Sequence, residues 1–213
     1  MMRIYDISIP LQPGMPIWPG DPPLRLERLA SISDGADANV SSIACGVHIG
    51  THVDAPLHFI NDGSTVDQLS LSTLVGDVHV VEIPNADIID EEILDRASIP
   101  SDTKRVLFKT KNSAVWASPK HDFQHDFVAI ASGGAAWIVD RGIELVGVDY
   151  LSVAPFESPV ATHVHLLEHD VIIVEGLDLH KIVPGKYFLV CLPIKLVGIE
   201  GSPARAVLLQ TEE

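Results

Sequence analysis

Residues 45–59 read Cys45-Gly46-Val47-His48-Ile49-Gly50-Thr51-His52-Val53-Asp54-Ala55-Pro56-Leu57-His58-Phe59. Three of the ten histidines and one carboxylate fall within eleven positions of this stretch. Neutral imidazole and carboxylate are the ligand set that zinc and manganese accept. A helix would put i and i+4 on one face, but Gly50, Val53 and Pro56 disfavour a helix here. On a strand His48, His52, Asp54 and His58 share a face, since all are even-numbered. A straight strand rises roughly 3.3 Å per residue, so His48 and His52 would stand roughly 13 Å apart, too far for one ion. The chain must bend between them, and Gly50 permits the bend. Asp54-Ala55-Pro56 then forces a second change of direction that returns His58 toward the same place. The reading that follows is a kinked strand presenting half of a metal site.

Upstream, Arg3–Ile9 alternates apolar and polar residues as a strand does. Residues 10–23 carry six prolines, which makes an extended, stiff loop around Trp18. That tryptophan either plugs a neighbouring surface or forms an aromatic wall for a ligand. Leu24–Ile32 and Asn39–Cys45 read as strands, the second running straight into the half-site. Downstream, Val66–Leu74 is a short helix or irregular segment and Val78–Ile83 a buried strand. Asp90–Ala97 is a helix with acids in its first turn and Arg96 in its last, the order its dipole favours. Arg105–Thr110 is a strand. A second H-x-x-x-H, His121 to His125, lies among polar residues without the glycine or the proline and reads as surface loop. Phe127–Ala131 is a strand, and Ser132 is expected to cap a helix that runs through Asp140 and ends at Gly142. Leu145–Val148 is a strand leading into Asp149 and Ser152. Ser158–His169 reads as a helix, and Val171–Glu175, Tyr187–Leu196 and Arg205–Leu209 as strands.

Strands and short helices alternate with no repeat and no boundary, so residues 1–213 are expected to form a single α/β domain. No G-x-G-x-x-G or P-loop is present to hold a nucleotide. The apolar run Tyr187–Ile199 is interrupted by Pro193 and Lys195 and is too short to span a bilayer. The first residues lack the apolar segment of a signal peptide. Cys45 and Cys191 allow at most one disulfide and suit a reducing compartment, so a cytoplasmic location is expected. The net charge of −15, with no basic run, argues against nucleic acid and against anionic membrane as partners.

A half-site needs a complement. Glu175 ends the apolar run Val-Ile-Ile-Val and needs a counter-ion, because an unpaired buried charge is costly. Either a metal or one of the fourteen lysines and arginines could supply it. His163, His165 and His169 precede it, and their residue chemistry alone does not choose among them.

The chain resembles the kynurenine formamidase and cyclase family of metal-dependent hydrolases. The matching pieces are Trp-Pro-Gly-Asp (18–21), residues 48–59, Leu-Val-Gly-Val-Asp-Tyr-Leu-Ser (145–152), His163-x-x-Leu-Leu, Val-Glu-Gly-Leu (174–177) and Ser-Pro-Ala-Arg-Ala-Val-Leu (202–208). They run along the whole chain. The resemblance implies a compact α/β domain of the swivelling β/β/α type, with barrel-like mixed sheets flanked by short helices, assembled as a homodimer or larger. It implies two divalent ions per subunit, zinc or manganese. His48, His52 and Asp54 would hold the first, and His163 the second, with Asp54 bridging and Glu175 shared. His163 is selected over His165 because it precedes x-x-Leu-Leu. His58 would be the acid/base and Trp18 a wall of the substrate pocket. The implied activity on a small-molecule substrate is that of an arylformamidase, which cleaves N-formylkynurenine to kynurenine and formate in tryptophan degradation. Close relatives open other amides, including isatin-like rings. Ala154 and Pro159 stand where family formamidases commonly have Asp and Lys, in a segment expected to border the pocket. A non-catalytic metal-dependent binding protein would keep the ligands but would not need His58.

Overall fold

The computed structural model describes residues 1–117 and 122–211. In chain order its strands are β1 (Met2–Asp6), β2 (Arg25–Ala30), β3 (Val40–Ala44), β4 (His52–Asp54), β5 (Val75–Ile83) and β6 (Ile88–Ile89). β7 (Arg105–Thr110), β8 (Ala129–Ile130), β9 (Leu145–Val148), β10 (Ile172–Glu175), β11 (Gly185–Pro193) and β12 (Gly201–Thr211) follow. The helices are α1 (Leu71–Leu74), α2 (Glu91–Arg96), α3 (Ser132–Asp140) and α4 (Pro159–Glu168).

β5, β7, β9 and β10 lie side by side and parallel. Parallel neighbours need crossovers, and α2, α3 and α4 are carried on the successive connections. Leu94 of α2, Ala135 and Ile138 of α3, and Leu166 and Leu167 of α4 pack against Val106, Phe108, Val146, Val148 and Ile173. The intervening residues Leu107, Leu145, Ile172 and Val174 point the other way, into a second core with Val53, Val78, Val80, Leu189 and Leu208. β9 and β10 are therefore buried on both faces, which is why Leu145–Val148 and Ile172–Val174 read as apolar runs. β4, β12 and β11 complete the wall with antiparallel pairings and curl it into a closed, barrel-like sheet.

β12 makes the closure. Gly201–Pro203 pair with β4, Ala204–Leu209 with β11, and Val207–Thr211 with β1. Only the second half of this strand is legible in the sequence, because Gly-Ser-Pro reads as a turn. Pro203 is tolerated because it sits where β12 changes neighbours; the next amide, Ala204 N, donates to Thr51 O at 2.9 Å.

Two expectations are corrected. β3 does not run into the half-site. Among the described residues it pairs only with β2, in a separate hairpin whose Leu26 and Ile43 remain half exposed, and the chain crosses to β4 through irregular backbone. Ser132 is the first helical residue of α3, with Ala131 at the cap and no side-chain cap bond. Asp90 caps α2 instead, its Oδ1 accepting from Ile93 N at 2.9 Å. Beyond β9, buried Asp149 accepts from Thr110 N and Oγ1, Asn112 Nδ2, and Ser113 N and Oγ, tying the ends of β7 and β9 together. Among the described residues no helix is long and apolar enough to cross a membrane.

Candidate metal centre

The centre is built where β4 meets β10. His52 pairs with Glu175 and Asp54 with Ile173 in register. Val53, between the two ligands, faces the barrel core. By alternation His52, Asp54 and Glu175 therefore project from the opposite face, which α4 covers with His163. Gly50 has φ +59, a left-handed bend that lets His48 fold back over Asp54. Gly176 has φ +68, and a Cβ built there would lie 2.1 Å from Gly50 O. Thr51 fastens this crossing: its Oγ1 donates to Gly176 O at 2.5 Å and accepts from Ile9 N at 2.8 Å.

Two imidazoles are aimed by backbone carbonyls. His52 Nδ1 donates to Gly50 O at 2.9 Å, and His163 Nδ1 donates to Pro159 O at 2.6 Å. In the neutral form each Nε2 would be left to accept, the tautomer a metal-binding histidine adopts. His52 Nε2 lies 3.3 Å from Glu175 Oε2 and 3.6 Å from Asp54 Oδ1. His163 Nε2 lies 3.2 Å from Glu175 Oε1 and 3.8 Å from Asp54 Oδ2. His48 Nδ1 stands 2.8 Å from Asp54 Oδ1, and the His58 ring stacks on His48 at 3.9 Å. Asp54 Oδ2 and His48 Nε2 are buried without a hydrogen-bond partner. A native protein rarely leaves such atoms unsatisfied, and a divalent cation at Asp54 Oδ2 would supply the partner that carboxylate oxygen lacks. The donor chemistry, nitrogen with carboxylate oxygen, suits zinc or manganese.

Ligand atoms of His48, Asp54 and His58 form one group within 4.8 Å of one another, and those of His52, Asp54 and Glu175 another. The two groups share Asp54, and they differ from the expected division of His48, His52 and Asp54 against His163, which is in neither. Burial alone would lower the pKa of His52, but Glu175 and Asp54 outweigh it and raise the value to about 9. Burial would raise the pKa of Asp54, yet the neighbouring histidines hold it well below the carboxylate range. Burial pushes the His58 imidazole below its ordinary value, against the pull of Asp54.

A cavity of about 200 Å³ opens onto the cluster, lined by Trp18, Asp21, His48, His58, Phe59, Leu151, Ser152, Pro159, His163 and Glu175. Trp18 stands as its aromatic wall, braced by Phe156 at 5.1 Å and Phe123 at 5.5 Å. Phe59 stacks on His163 at 4.4 Å. Phe59 and Asp21 lie in the quoted motifs, but neither carries a metal-ligand pattern that would single it out. Pro159 does line the cavity, whereas Ala154 is buried in the core beneath the helices and does not. His165 and His169 lie outside the cluster with their rings 4.8 Å apart. His125 is exposed against Phe123 and Phe156; its partner in the second H-x-x-x-H, His121, falls outside the described residues.

Residues 5–155 match the model of a family described as "Putative cyclase". Cyclase-like protein 3 of Arabidopsis thaliana is 42% identical over 216 residues, covering 98% of this chain and 80% of that protein. A kynurenine formamidase of Erythrobacter litoralis is 38% identical over 210 residues, covering 97% of this chain and 93% of the relative. A solved structure described as a potential metal-dependent hydrolase with cyclase activity superposes with a TM-score of 0.85 at 34% identity, covering all of both chains.

Proposed function

The chain belongs to the cyclase family, and from that premise we propose that it is a metal-dependent hydrolase of amide C–N bonds, an arylformamidase that takes N-formylkynurenine to kynurenine and formate. The observation that carries this reading is a cluster with two buried atoms lacking a hydrogen-bond partner, Asp54 Oδ2 and His48 Nε2, whose His48, His58, His163 and Glu175 line a cavity walled by Trp18 and Phe59. His48, His52, Asp54, His163 and Glu175 would hold two divalent ions, zinc or manganese. Bound there, such ions supply Lewis-acid polarisation of a carbonyl and a water of lowered pKa.

The chain's own residues do the rest. Trp18 and Phe59 bind an aryl ring between apolar faces and exclude bulk water from the amide. His58, held below its ordinary pKa by burial and stacked on His48, accepts a proton from the attacking water. It returns that proton to the leaving nitrogen as the C–N bond breaks, so its charge is restored at each turnover. Asp54 and Glu175 are fixed before substrate arrives, Glu175 Oε1 by the amide of Val153 at 2.6 Å. A non-catalytic binding protein on this scaffold would have no use for His58 at that position.

We place the protein in the cytoplasm as a homodimer; exposed Leu26, Leu29, Val40 and Ile43 on the β2–β3 hairpin support self-association, which sedimentation would test. The deciding experiment is metal analysis of the purified protein, with turnover of N-formylkynurenine, formanilide and isatin by the metal-replete enzyme. Formate release from N-formylkynurenine is the expected result. Preferential opening of isatin would reassign the substrate, and no turnover of any amide or lactam would overturn the hydrolase reading.

A further inference from the structure

The lining of the cavity carries a charge that the hydrolytic chemistry does not use. The Trp-Pro-Gly-Asp loop closes in a tight turn, with Asp21 N donating to Trp18 O at 3.1 Å. One short turn therefore sets an aromatic wall and a carboxylate side by side on the rim. Trp18 is braced from behind by Phe123 and Phe156. Asp21 is half-buried, lines the cavity, and makes no side-chain hydrogen bond or ion pair with any described residue. No lysine or arginine is among the described residues that line the cavity. Its remaining lining is apolar (Trp18, Phe59, Leu151, Pro159) or belongs to the reactive cluster, apart from the hydroxyl of Ser152.

These facts fix what the far end of a substrate can carry. For a ring held against Trp18 with its amide at the histidines, Asp21 is the one charged lining residue outside the reactive cluster. A carboxylate on a side arm that reaches it would meet like charge without compensation. An ammonium would complete a charge-assisted hydrogen bond in a partly desolvated site, which is stronger than a neutral one.

We propose that Asp21 is a specificity-determining residue that recognises a cationic ammonium on the side arm of the substrate. The preferred class is then an N-acyl aryl amine bearing an alkylammonium arm, in which a carboxylate on the same arm is tolerated only where it points out to solvent. This rests on the hydrolase reading above and deepens it.

The test uses metal-replete full-length protein and four formanilides: one unsubstituted, one with an aminoethyl ketone arm, one with the same arm as its α-amino acid (N-formylkynurenine), and one with a propanoate arm. In wild type, kcat/KM is expected to rank the amine first, the amino acid next, and the propanoate last. In Asp21→Asn the ratio of kcat/KM for the amine over unsubstituted formanilide should fall about tenfold, while that for the propanoate over the same reference rises. A loss spread equally over all four, or no change in the ratios, would overturn the proposal. If wild type turns over none of them, the hydrolase reading fails and the selectivity is read by calorimetry instead. In that case 2-phenylethylammonium should bind wild type more tightly than 3-phenylpropanoate does, with the preference lost in Asp21→Asn. Equal binding of the two probes to wild type would overturn the proposal independently of any activity.

Discussion

Replacing Gly176 by alanine tests the crossing that holds the two halves of the metal centre together. The added Cβ would stand 2.1 Å from Gly50 O, and real Cβ contacts are essentially never closer than 3.0 Å, so the two segments must part by about 0.9 Å. Gly176 also has φ +68, where an L side chain costs roughly 1–2 kcal/mol. Overpacking against backbone adds roughly 1–3 kcal/mol, giving roughly 2–5 kcal/mol in all, a large part of the roughly 5–15 kcal/mol of a typical domain. Gly14→Ala is the matched control: it has φ +82 but nothing within 4 Å of the built Cβ, so only the backbone cost applies. Denaturant unfolding of metal-free protein should place Gly176→Ala at least about 1 kcal/mol below Gly14→Ala, the lower bound of the packing cost. The same displacement exceeds the roughly 0.5 Å within which a site must be held. Gly176→Ala should accordingly lose metal on dialysis while Gly14→Ala keeps it. Equal stability and equal metal content in the two variants would refute the reasoning.

His52→Ala should lower metal content, whereas His125→Ala, on an exposed loop, should leave it unchanged; plasma emission spectrometry reads both. Chelation should lower the melting temperature of wild type, since an ion bound only by the native state stabilises it by mass action; Glu175→Ala should respond much less. His58→Asn should keep fold and metal while losing roughly 10²–10⁴-fold in turnover. At the surface, Arg205 grips Asp6 through bonds of 2.9 and 2.6 Å. Burial opposes the shift, but Arg205 and Ser8 hold the Asp6 carboxyl below 3.8. The pair's contribution, under about 1 kcal/mol, is thus present above the ordinary carboxylate value and lost as pH falls through the lowered one. Asp6→Asn should abolish that part of the acid dependence in denaturant titrations.

The sequence discloses the centre better than the architecture around it. His48, His52, Asp54 and His58 announce themselves because ligand chemistry and the breakers Gly50 and Pro56 are local. The faces of β10 are likewise local, since alternation alone sends Val174 inward and Glu175 outward. Barrel closure is not local. That β12 serves three neighbours depends on how far the parallel strands curl, and Gly201-Ser202-Pro203 gives no hint of strand pairing. Asn39–Cys45 has the composition of a strand and holds one over Val40–Ala44, yet nothing in it reveals that it pairs with Arg25–Ala30. The division of ligands among ions is also hidden, because it turns on ring orientations set by the carbonyls of Gly50 and Pro159. Asp21 escaped notice because a carboxylate in a proline-rich loop looks like any solvated acid until Trp18 is seen beside it.

The pairings of β4 bear on how the protein matures. Asp54 finds its partners Ile173 and Gly201 roughly 120 and 150 residues later in the chain. At roughly 5–20 residues per second on the ribosome, the half-site exists for many seconds before either partner has been made. During that interval its histidines are free to pick up whatever ion the cell offers, with no Glu175 or His163 to complete the coordination. Selective loading must therefore wait until His163 and Glu175 have been made and β10 and β12 have paired with β4. Nascent chains stalled before residue 173 should retain metal only weakly and exchange it quickly, in contrast to the finished protein.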